Sequence, residues 1–481
     1  MNTPLPSYKT KIVCTIGPAS RDRDMLRRLI SSGMNVARLN FSHGEPSEHA
    51  KDILAIRETA AELKKNVAIL ADLPGPKIRI GEIKGGSCVL RKGERVVLTI
   101  REVEGTSSFI PVQFEEFPEC VNIGDRVFLN DGFIELKAEQ KTGKDVICEV
   151  VIGGTLLSKK GMNLPDSHVT AKAVTEKDYE LLSFGMEQGV DMFGLSFVGA
   201  PEDVVKVREF AKAKGHDIFI VSKIERTDAL NNIDSIIEAS DGIMVARGDL
   251  GVEIAIEEVP IVQKQLILKS NLASKPVITA TQMLESMTAN TRPTRAEVTD
   301  AANAIYDGTD AVMLSEETAI GKYPEEALSM LAKIALTAET RRSTVVSGTV
   351  VPDTIMRTVE LSGSTVEDTL SLNVIRSAIS LGVRSVVVPS RSGRTARRIS
   401  RLKSDAWILA LCRDLKTLKS LCLSYGVYPV PKGEISSDEE IITNLRAQGL
   451  LGVQEAVILV RSDPCMNLGT ANTMRIITPG T

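Results

Sequence analysis

The sequence lacks the features that mark several common classes of protein. Its 481 residues include only four histidines, none at the spacing of a zinc site, so we do not expect a zinc enzyme. Its seven cysteines include no CxxC pair, and their odd number argues against a framework of disulfides. No apolar run is long enough to span a membrane, and residues 1–10 lack the apolar core of a signal peptide. We therefore expect a reduced, cytoplasmic protein that does not act at a membrane.

The net charge and the absence of common sequence motifs argue against further classes of protein. The net charge of −4 provides no broad basic field, so nucleic acid is not an expected partner. The chain has no GxxxxGK[ST] loop, no GxGxxG after a strand, no HExxH, no EF-hand loop and no GxSxG. Its content of 25% charged and 43% hydrophobic residues is typical of globular proteins, and the length predicts two to four domains.

Eight apolar segments rich in β-branched residues recur along the chain, and helix patterns separate most of them. The segments are 11–17, 35–41, 66–73, 191–197, 218–225, 242–249, 276–282 and 311–317. Such strands, alternating with helices, favour a parallel sheet covered on both faces, and eight units predict a (β/α)₈ barrel. An open doubly wound sheet is the alternative, but it does not explain why polar residues end so many of the strands. Among the helix patterns, Thr294 and Glu297 form a capping box that we interpret as structural.

Two regions fall outside this series of eight alternating strands and helices. Residues 74–171 contain no helix pattern and show short alternating segments divided by Gly, Asn and Asp, which predicts an inserted β-barrel domain. On a barrel loop such a domain can act as a lid over the site. After the barrel the strand and helix patterns restart, which predicts a C-terminal α/β sandwich domain over 345–481. The barrel is then expected over 1–73 and 172–344.

Charged side chains end two of the predicted strands about twenty residues apart. Lys223 and Glu225 share one face of their strand, and Asp249 ends the next. Two carboxylates there can hold a hard cation such as Mg²⁺, and an ammonium beside them can stabilise negative charge on a substrate oxygen. An ion-paired Lys–Glu at a strand end is the alternative. On an earlier strand Arg38 and Asn40 share a face, which suits a phosphorylated or carboxylated small molecule held by Arg38 and a metal.

A turn rich in serine, glycine and arginine follows the first strand of the C-terminal domain. The segment 385–403 runs from a strand through this turn into a helix. Free backbone N–H groups and the dipole at the start of the helix favour an anion, to which Arg391, Arg394 and Thr395 can add donors. The segment therefore predicts a phosphate site. A solvated basic helix, or one at a subunit interface, is the alternative.

Nine longer stretches, several unusual in composition, carry a resemblance to a known family. They are residues 10–20, 35–44, 73–81, 159–166, 221–226, 241–254, 278–287, 292–315 and 390–397. Over nearly its whole length the sequence resembles the pyruvate kinases. The resemblance implies transfer of the phosphoryl group of phosphoenolpyruvate to ADP, giving pyruvate and ATP. It also implies a (β/α)₈ barrel with an inserted β domain, a C-terminal α/β domain and a homotetramer.

The resemblance also implies roles for residues at the barrel mouth. Glu225 and Asp249 match the family's ligands for Mg²⁺ or Mn²⁺. Lys223 matches the lysine that stabilises the transferring phosphoryl group and the enolate left behind. The backbone of Gly248 and the hydroxyl of Thr281 match substrate contacts, with Thr281 placed where the enolate carbon is protonated.

Other matches concern the nucleotide and the regulation of the enzyme. Arg38 and Arg79 match arginines that grip the transferring phosphate, and a second metal ion is expected to arrive with ADP. Asn40, His43 and Lys160 match nucleotide contacts. By analogy to the family, the turn in the C-terminal domain is expected to bind the phosphate of an allosteric effector. Its residues are Ser390, Arg391, Ser392, Gly393, Arg394 and Thr395.

One departure from the family pattern concerns a monovalent cation. Many pyruvate kinases need K⁺, held by oxygens that match Asn40, Ser42, Asp72 and a threonine at the next position. Where the family commonly has Asp-Thr-Lys-Gly-Pro-Glu-Ile-Arg, residues 72–79 read Asp-Leu-Pro-Gly-Pro-Lys-Ile-Arg, so Lys77 replaces a glutamate. A tethered ammonium can replace bound K⁺, and we predict that K⁺ is not required. The alternative is that Lys77 is a surface lysine.

Two other functions fit parts of the same pattern. A metal-dependent aldolase or lyase acting on pyruvate enolate would use the same barrel but needs no ADP site, so Arg79 and Lys160 argue against it. A catalytically inactive regulator that binds a sugar phosphate through the C-terminal domain would not need Lys223, Glu225 and Asp249. The sequence therefore favours the kinase.

Overall fold

The computed structural model describes most of the chain. The described residues are 5–130, 132–166, 173–345, 351–361, 365–432, 437–462 and 471–478, without the side chains of 343–345 and 351–353. All predicted site residues fall within these ranges. The predicted border between the insertion and the barrel, at 171/172, lies outside them.

The described residues form twenty-one strands and seventeen α-helices. The strands are β1 Lys11–Ile16, β2 Val36–Asn40, β3 Ala68–Asp72, β4 Ser87–Leu90, β5 Arg95–Thr99, β6 Phe109–Pro111, β7 Arg126–Leu129, β8 Ile134–Thr142, β9 Asp145–Ile152, β10 Gly154–Leu157, β11 Met162–Asn163, β12 Met192–Leu195, β13 Phe219–Ile224, β14 Gly242–Ala246, β15 Val277–Ala280, β16 Ala311–Leu314, β17 Ser385–Ser390, β18 Trp407–Cys412, β19 Val427–Pro431, β20 Val457–Arg461 and β21 Thr473–Ile477. The helices are α1 Arg23–Ser32, α2 Pro46–Glu62, α3 Phe117–Cys120, α4 Glu176–Glu187, α5 Pro201–Ala213, α6 Thr227–Asn231, α7 Ile233–Ala239, α8 Arg247–Glu253, α9 Val259–Leu272, α10 Arg295–Tyr306, α11 Glu316–Ala319, α12 Pro324–Val345, α13 Val351–Leu361, α14 Val366–Leu381, α15 Arg394–Ser400, α16 Leu415–Leu421 and α17 Asp438–Ala447.

Eight parallel strands close into a barrel, which confirms the predicted fold. Their order around the barrel is β1-β16-β15-β14-β13-β12-β3-β2. Alternate residues face its two sides: Val36 of β2 packs in the interior, while Ala37 and Leu39 pack outward against the helices. Arg38 and Asn40 therefore share the inward face of Val36, close to the carboxyl end of the strand.

The C-terminal domain closes the other end of the barrel. Cys422 and Leu423, which follow α16, belong to the same buried cluster as the interior residues Val13 and Met313. The amino ends of the strands are thus sealed by apolar packing. The carboxyl ends carry the polar residues, and the insertion between β3 and β12 begins there.

The insertion is rich in strands, as expected, and has its own core. It contains a six-stranded sheet of order β11-β7-β8-β9-β5-β6 and a two-stranded sheet of β10 and β4. Its buried residues form a separate cluster that includes Phe117, Val127 and Leu136. The expectation that this region has no helix is wrong for one turn, α3, where Pro118 near the start favours a helical first turn.

The last strands form the expected C-terminal α/β domain. Its sheet has the order β19-β18-β17-β20-β21, parallel except for the antiparallel β21. The helix α12 continues to Val345, one residue past the predicted border. Across the described ranges, no helix is both long and apolar enough to cross a membrane.

Candidate active site

Inward side chains of neighbouring strands meet at the carboxyl end of the barrel. Strand pairing places Asp72 beside Asn40 of β2 and beside Gly194 of β12. A Cβ on Gly194 would lie 3.0 Å from Asp72 Oδ1, so a larger residue there would crowd the carboxylate. Lys223 shares the inward face of Phe219 and Val221, which belong to the interior cluster.

Asp72 is the centre of a buried ion network. Its Oδ2 accepts hydrogen bonds from Arg38 Nε at 2.9 Å and Nη2 at 2.5 Å, and its Oδ1 lies 3.3 Å from Lys223 Nζ. Burial raises the pKa of Asp72, but the charges of Lys223 and Arg38 outweigh burial and hold that pKa below its usual value. Asp72 is therefore a carboxylate that fixes two cations at the barrel mouth.

Lys223 lies between two carboxylates. Its Nζ is 2.9 Å from Glu225 Oε1 and donates to Ser196 Oγ at 2.7 Å. Burial lowers the pKa of Lys223, but Asp72 and Glu225 outweigh this and raise it above its usual value. The Lys223–Glu225 ion pair considered from the sequence exists, and it holds a charged ammonium in a fixed position. Such a group can stabilise developing negative charge without reorganising.

Glu225 and Asp249 reach the site from different kinds of element. Glu225 directly follows β13, is 1% exposed, and accepts a hydrogen bond from Phe197 N at 2.7 Å. The expectation that Asp249 ends a strand is wrong: β14 ends at Ala246, and Asp249 lies in the first turn of α8, where the helix dipole favours an acid. Burial, and then the charge of Asp249, raise the pKa of Glu225 against the effect of Lys223, so the two carboxylates act on each other.

These two carboxylates suit a metal ion that binds together with a ligand. Among the described residues, no group of three or more His, Cys, Asp or Glu side chains is placed to hold a metal. Glu225 and Asp249 supply hard oxygen atoms, which Mg²⁺ and Mn²⁺ prefer, and leave coordination positions for a substrate or water. The residues present therefore fit the predicted divalent cation.

Thr281 follows β15 in a strained conformation. Its φ is +65° and that of Gln282 is +54°, a region that costs a residue with a side chain about 1–3 kcal/mol. Thr281 Oγ1 accepts a hydrogen bond from Gly248 N at 2.9 Å and donates to Ala280 O at 2.7 Å. The hydroxyl is thereby fixed beside the start of α8, where Asp249 lies.

Arg247 holds this strained turn in place. Its guanidinium donates to Ala280 O at 3.1 Å and to Thr281 O at 2.5 Å. Its remaining nitrogen, Nη1, donates to Asp300 on α10, at 2.6 Å from Oδ2. A rigid fork that binds two successive carbonyls and a carboxylate orients the Thr281 peptide, and lysine cannot reproduce that geometry.

Replacing Arg247 with Met is expected to lower kcat by about 10–100-fold, because a small misplacement of reacting groups has an effect of that size. The KM for the substrate should change much less, since Arg247 acts through the Thr281 turn and Asp300 and is not one of the predicted substrate contacts. Steady-state kinetics of Arg247→Met and Arg247→Lys measure both quantities. The opposite pattern, an unchanged kcat with a raised KM, would contradict a positioning role.

The predicted nucleotide residues lie around the same opening. His43 is largely exposed, and its pKa is lowered by partial desolvation of the imidazole and by the charges of Arg79, Arg38 and Lys77. Arg79 Nη1 donates to Lys159 O at 3.2 Å, which ties the start of the insertion to the neighbour of Lys160. Asn40 Oδ1 accepts a hydrogen bond from Ser42 N at 3.2 Å.

The predicted effector turn lies far along the chain, in the C-terminal domain. Ser390 is buried, and its hydroxyl accepts a hydrogen bond from Gly393 N at 2.9 Å, so it stabilises the turn. Gly393 has φ +77°, a conformation that favours glycine. Arg391 and Arg394 are exposed, and Thr395 is half-buried at the start of α15.

Three residues that hold the site together had no role in the sequence prediction. Ser196 contacts Lys223, Arg247 contacts the Thr281 turn, and Asp300 contacts Arg247. Ser196 gave a weak signal as a polar residue at the end of an apolar segment. Arg247 and Asp300 gave none, because they meet only through the fold.

The chain is similar to known proteins over nearly its whole length. Residues 7–328 match the family profile described as "Pyruvate kinase, barrel domain", and residues 368–477 match "Pyruvate kinase, alpha/beta domain". A pyruvate kinase of Thermococcus litoralis is 48% identical over 474 residues, covering 98% of this chain and 99% of the relative. Pyruvate kinases of Staphylococcus epidermidis and Staphylococcus aureus are each 42% identical over 474 residues, covering 97% of this chain and 80% of the relative.

Proposed function

The chain belongs to the pyruvate kinase family, and on that premise we propose that it transfers the phosphoryl group of phosphoenolpyruvate to ADP, giving pyruvate and ATP. The observation that carries this proposal is the charged Lys223, fixed between Asp72 and Glu225 beside Arg38 at the barrel mouth. Phosphoryl transfer needs mainly positioning and charge neutralisation, which this set of groups provides. Neither comparison supports a lyase or aldolase.

The residues at the barrel mouth have different roles in the proposed reaction. Arg38 and Arg79 neutralise the phosphoryl group as it moves from substrate to ADP. Lys223 stabilises the enolate oxygen as negative charge develops there. The proton that converts the enolate to pyruvate reaches carbon on the side of Thr281, through a relay, because a threonine hydroxyl is itself a poor acid.

Glu225 and Asp249 would hold a divalent cation in contact with phosphoenolpyruvate. When bound, the ion supplies a Lewis acid and a template for the carboxylate and phosphate oxygens. A second ion is proposed to accompany ADP, for which Asn40, His43 and Lys160 would provide contacts. The insertion, joined to the barrel near Arg79, would cover the substrates and exclude water.

Removal of divalent cations is expected to abolish turnover, because no ion then joins the two carboxylates to the carboxylate and phosphate oxygens of the substrate. Chelation with EDTA followed by an assay of pyruvate formation measures this loss, and added Mg²⁺ or Mn²⁺ should restore it. Glu225→Gln should require a higher Mg²⁺ concentration for half-maximal rate. Full activity in a chelated, metal-free sample would contradict the assignment of Glu225 and Asp249.

An assay of pyruvate formation with and without ADP tests the proposed function itself. A kinase forms pyruvate from phosphoenolpyruvate only when ADP is present, and it forms one ATP for each pyruvate. Pyruvate formation that does not need ADP would favour a lyase, and absence of turnover in either condition would favour an inactive regulator.

We also propose a homotetramer that responds to a phosphorylated effector at residues 390–395. The large apolar side chains Leu361, Val366 and Ile379 are 88%, 70% and 68% exposed, which leaves an apolar surface on α13 and α14 for a second subunit. Light scattering measures the oligomeric state. No two of the six cysteines in the described part of the chain are joined by a disulfide, which suits a reducing cytoplasm.

A further inference from the structure

A cavity lies in the C-terminal domain, next to the residues that precede β17 and β18. Its volume is about 410 Å³, within the range of pockets that bind small molecules. Its walls are mostly apolar and come from α13, α14 and the segments before the two strands. The apolar side chains include Met356, Ile375, Ala378, Ile379, Leu402 and Ala406.

A buried arginine also lines this cavity. Arg342, in the last turn of α12, is 7% exposed. Its Nη1 donates to Lys403 O at 3.1 Å and to Tyr425 Oη at 3.4 Å, and its Nη2 donates to Ile305 O at 3.0 Å. Its Nε has no hydrogen-bond partner in the described part of the protein. All acceptors of Arg342 are therefore neutral, and one donor of a permanently charged group is left unsatisfied.

The charged groups around the cavity carry an excess of one positive charge. The cavity is lined by three cations, Arg342, Arg384 and Lys403, and by one carboxylate, Asp405. A second carboxylate, Asp310, lies 2.8 Å from Lys403 Nζ. Across the described ranges, no carboxylate lies within ion-pair distance of Arg342 or Arg384. Burial, and then the charge of Arg342, lower the pKa of Lys403 against the effect of Asp310. One negative charge would balance the set.

We propose that this cavity binds an apolar monocarboxylic acid, with its carboxylate on Arg342 and its apolar body against Met356 and Ile379. A carboxylate supplies the single missing charge, can accept a hydrogen bond from the free Nε, and matches the planar fork of arginine. The apolar walls disfavour a phosphate dianion, because a buried second charge would lack a partner. The site lies before β17, whereas the turn at residues 390–395 lies at the other end of that strand, and it needs none of the catalytic assignments.

Calorimetric titration of the full-length protein with hexanoate, hexan-1-ol and hexylamine tests the proposal without any substitution. The three probes have similar apolar chains and differ in charge. Hexanoate should bind about tenfold or more tightly than the alcohol, the usual effect of a hydrogen bond to a charged group, and the amine should bind most weakly. Equal affinity for the three probes overturns the proposal. So does an absence of hexanoate binding, which is the result expected if a second subunit covers the cavity.

Two substitutions test the two parts of the site. Arg342→Met should remove the preference for hexanoate over hexan-1-ol, because it removes the guanidinium and keeps an apolar side chain. Met356→Ala should weaken the binding of both probes by about threefold or more, because it removes apolar contact. Leu381→Ala is the matched control: Leu381 is an exposed apolar residue of α14 that does not line the cavity, so both affinities should stay within about twofold.

Two further measurements decide where the anion lies. If Arg384→Gln removes the preference for hexanoate and Arg342→Met does not, the anion is held by exposed Arg384 and the proposal is wrong. Phosphoenolpyruvate with Mg²⁺ should not displace hexanoate; complete displacement would place the probe at the barrel mouth and also overturn the proposal. Thermal unfolding shows whether each variant is folded. If Arg342→Met is not, the comparison of probes and the Met356→Ala variant still test the site.

Discussion

Lys223→Met is expected to lower turnover by about 10²–10³-fold, the usual effect of removing a preorganised donor from a site of developing negative charge. Lys223 Nζ is held by three groups, Glu225, Ser196 and Asp72, so the ammonium is in place before the substrate binds. The KM for phosphoenolpyruvate should rise far less than kcat falls, because Arg38 and the metal ligands remain. Steady-state kinetics of pyruvate formation provides both values.

Loss of stability must be separated from loss of catalysis in this variant. Asp72 and Glu225 are each 1% exposed, and removing their shared ammonium leaves buried negative charge that is unfavourable by about 3–5 kcal/mol. Thermal unfolding shows whether the variant is folded at the assay temperature. Lys223→Arg serves as the matched control, since it keeps the charge but changes its geometry. A folded Lys223→Met protein with turnover within tenfold of the original would contradict the role of Lys223.

The barrel was predictable from the sequence because its strands are nearly continuous apolar runs. The same alternation that buries Val36 sets Arg38 on the inward face, so the position of the arginine followed from periodicity alone. The capping box at Thr294 and Glu297 was also read correctly, because both partners lie within one turn of helix. Local rules of this kind need no knowledge of the rest of the fold.

The contacts that orient the site were not predictable in the same way. Arg247 reaches Thr281 and Asp300, which lie 34 and 53 residues further along the chain. The strained φ of Thr281 leaves no mark on the sequence, because threonine does not favour that region. The secondary structure at Asp249 was missed for a simpler reason: the apolar run ends at Ala246, and a seven-residue helix is too short for a clear periodic pattern.

The chain is expected to work without K⁺, and Lys77→Glu is expected to make it depend on K⁺. Two features of residues 72–79 support this proposal. Leu73 is 1% exposed and packs in the core outside the barrel, so its side chain provides no oxygen for a cation where many family members have threonine. Lys77 Nζ lies 3.2 Å from Asp249 Oδ1, so a fixed positive charge already faces the acidic side chains of the mouth.

The size of the effect follows from the charge change at Lys77. Two unit charges about 4 Å apart interact by about 1 kcal/mol in water and about 4 kcal/mol at an effective dielectric of 20. Since Lys77 is 29% exposed, turnover of Lys77→Glu without K⁺ should fall between about tenfold and 10³-fold, and KCl should restore much of it. Lys77→Met removes the ammonium without adding a carboxylate. Its turnover without K⁺ should therefore lie between that of the unsubstituted protein and that of Lys77→Glu. Assays in KCl and in tetramethylammonium chloride, at equal ionic strength, measure each rate. If the unsubstituted protein loses its activity without K⁺ and KCl restores it, Lys77 does not replace the monovalent cation.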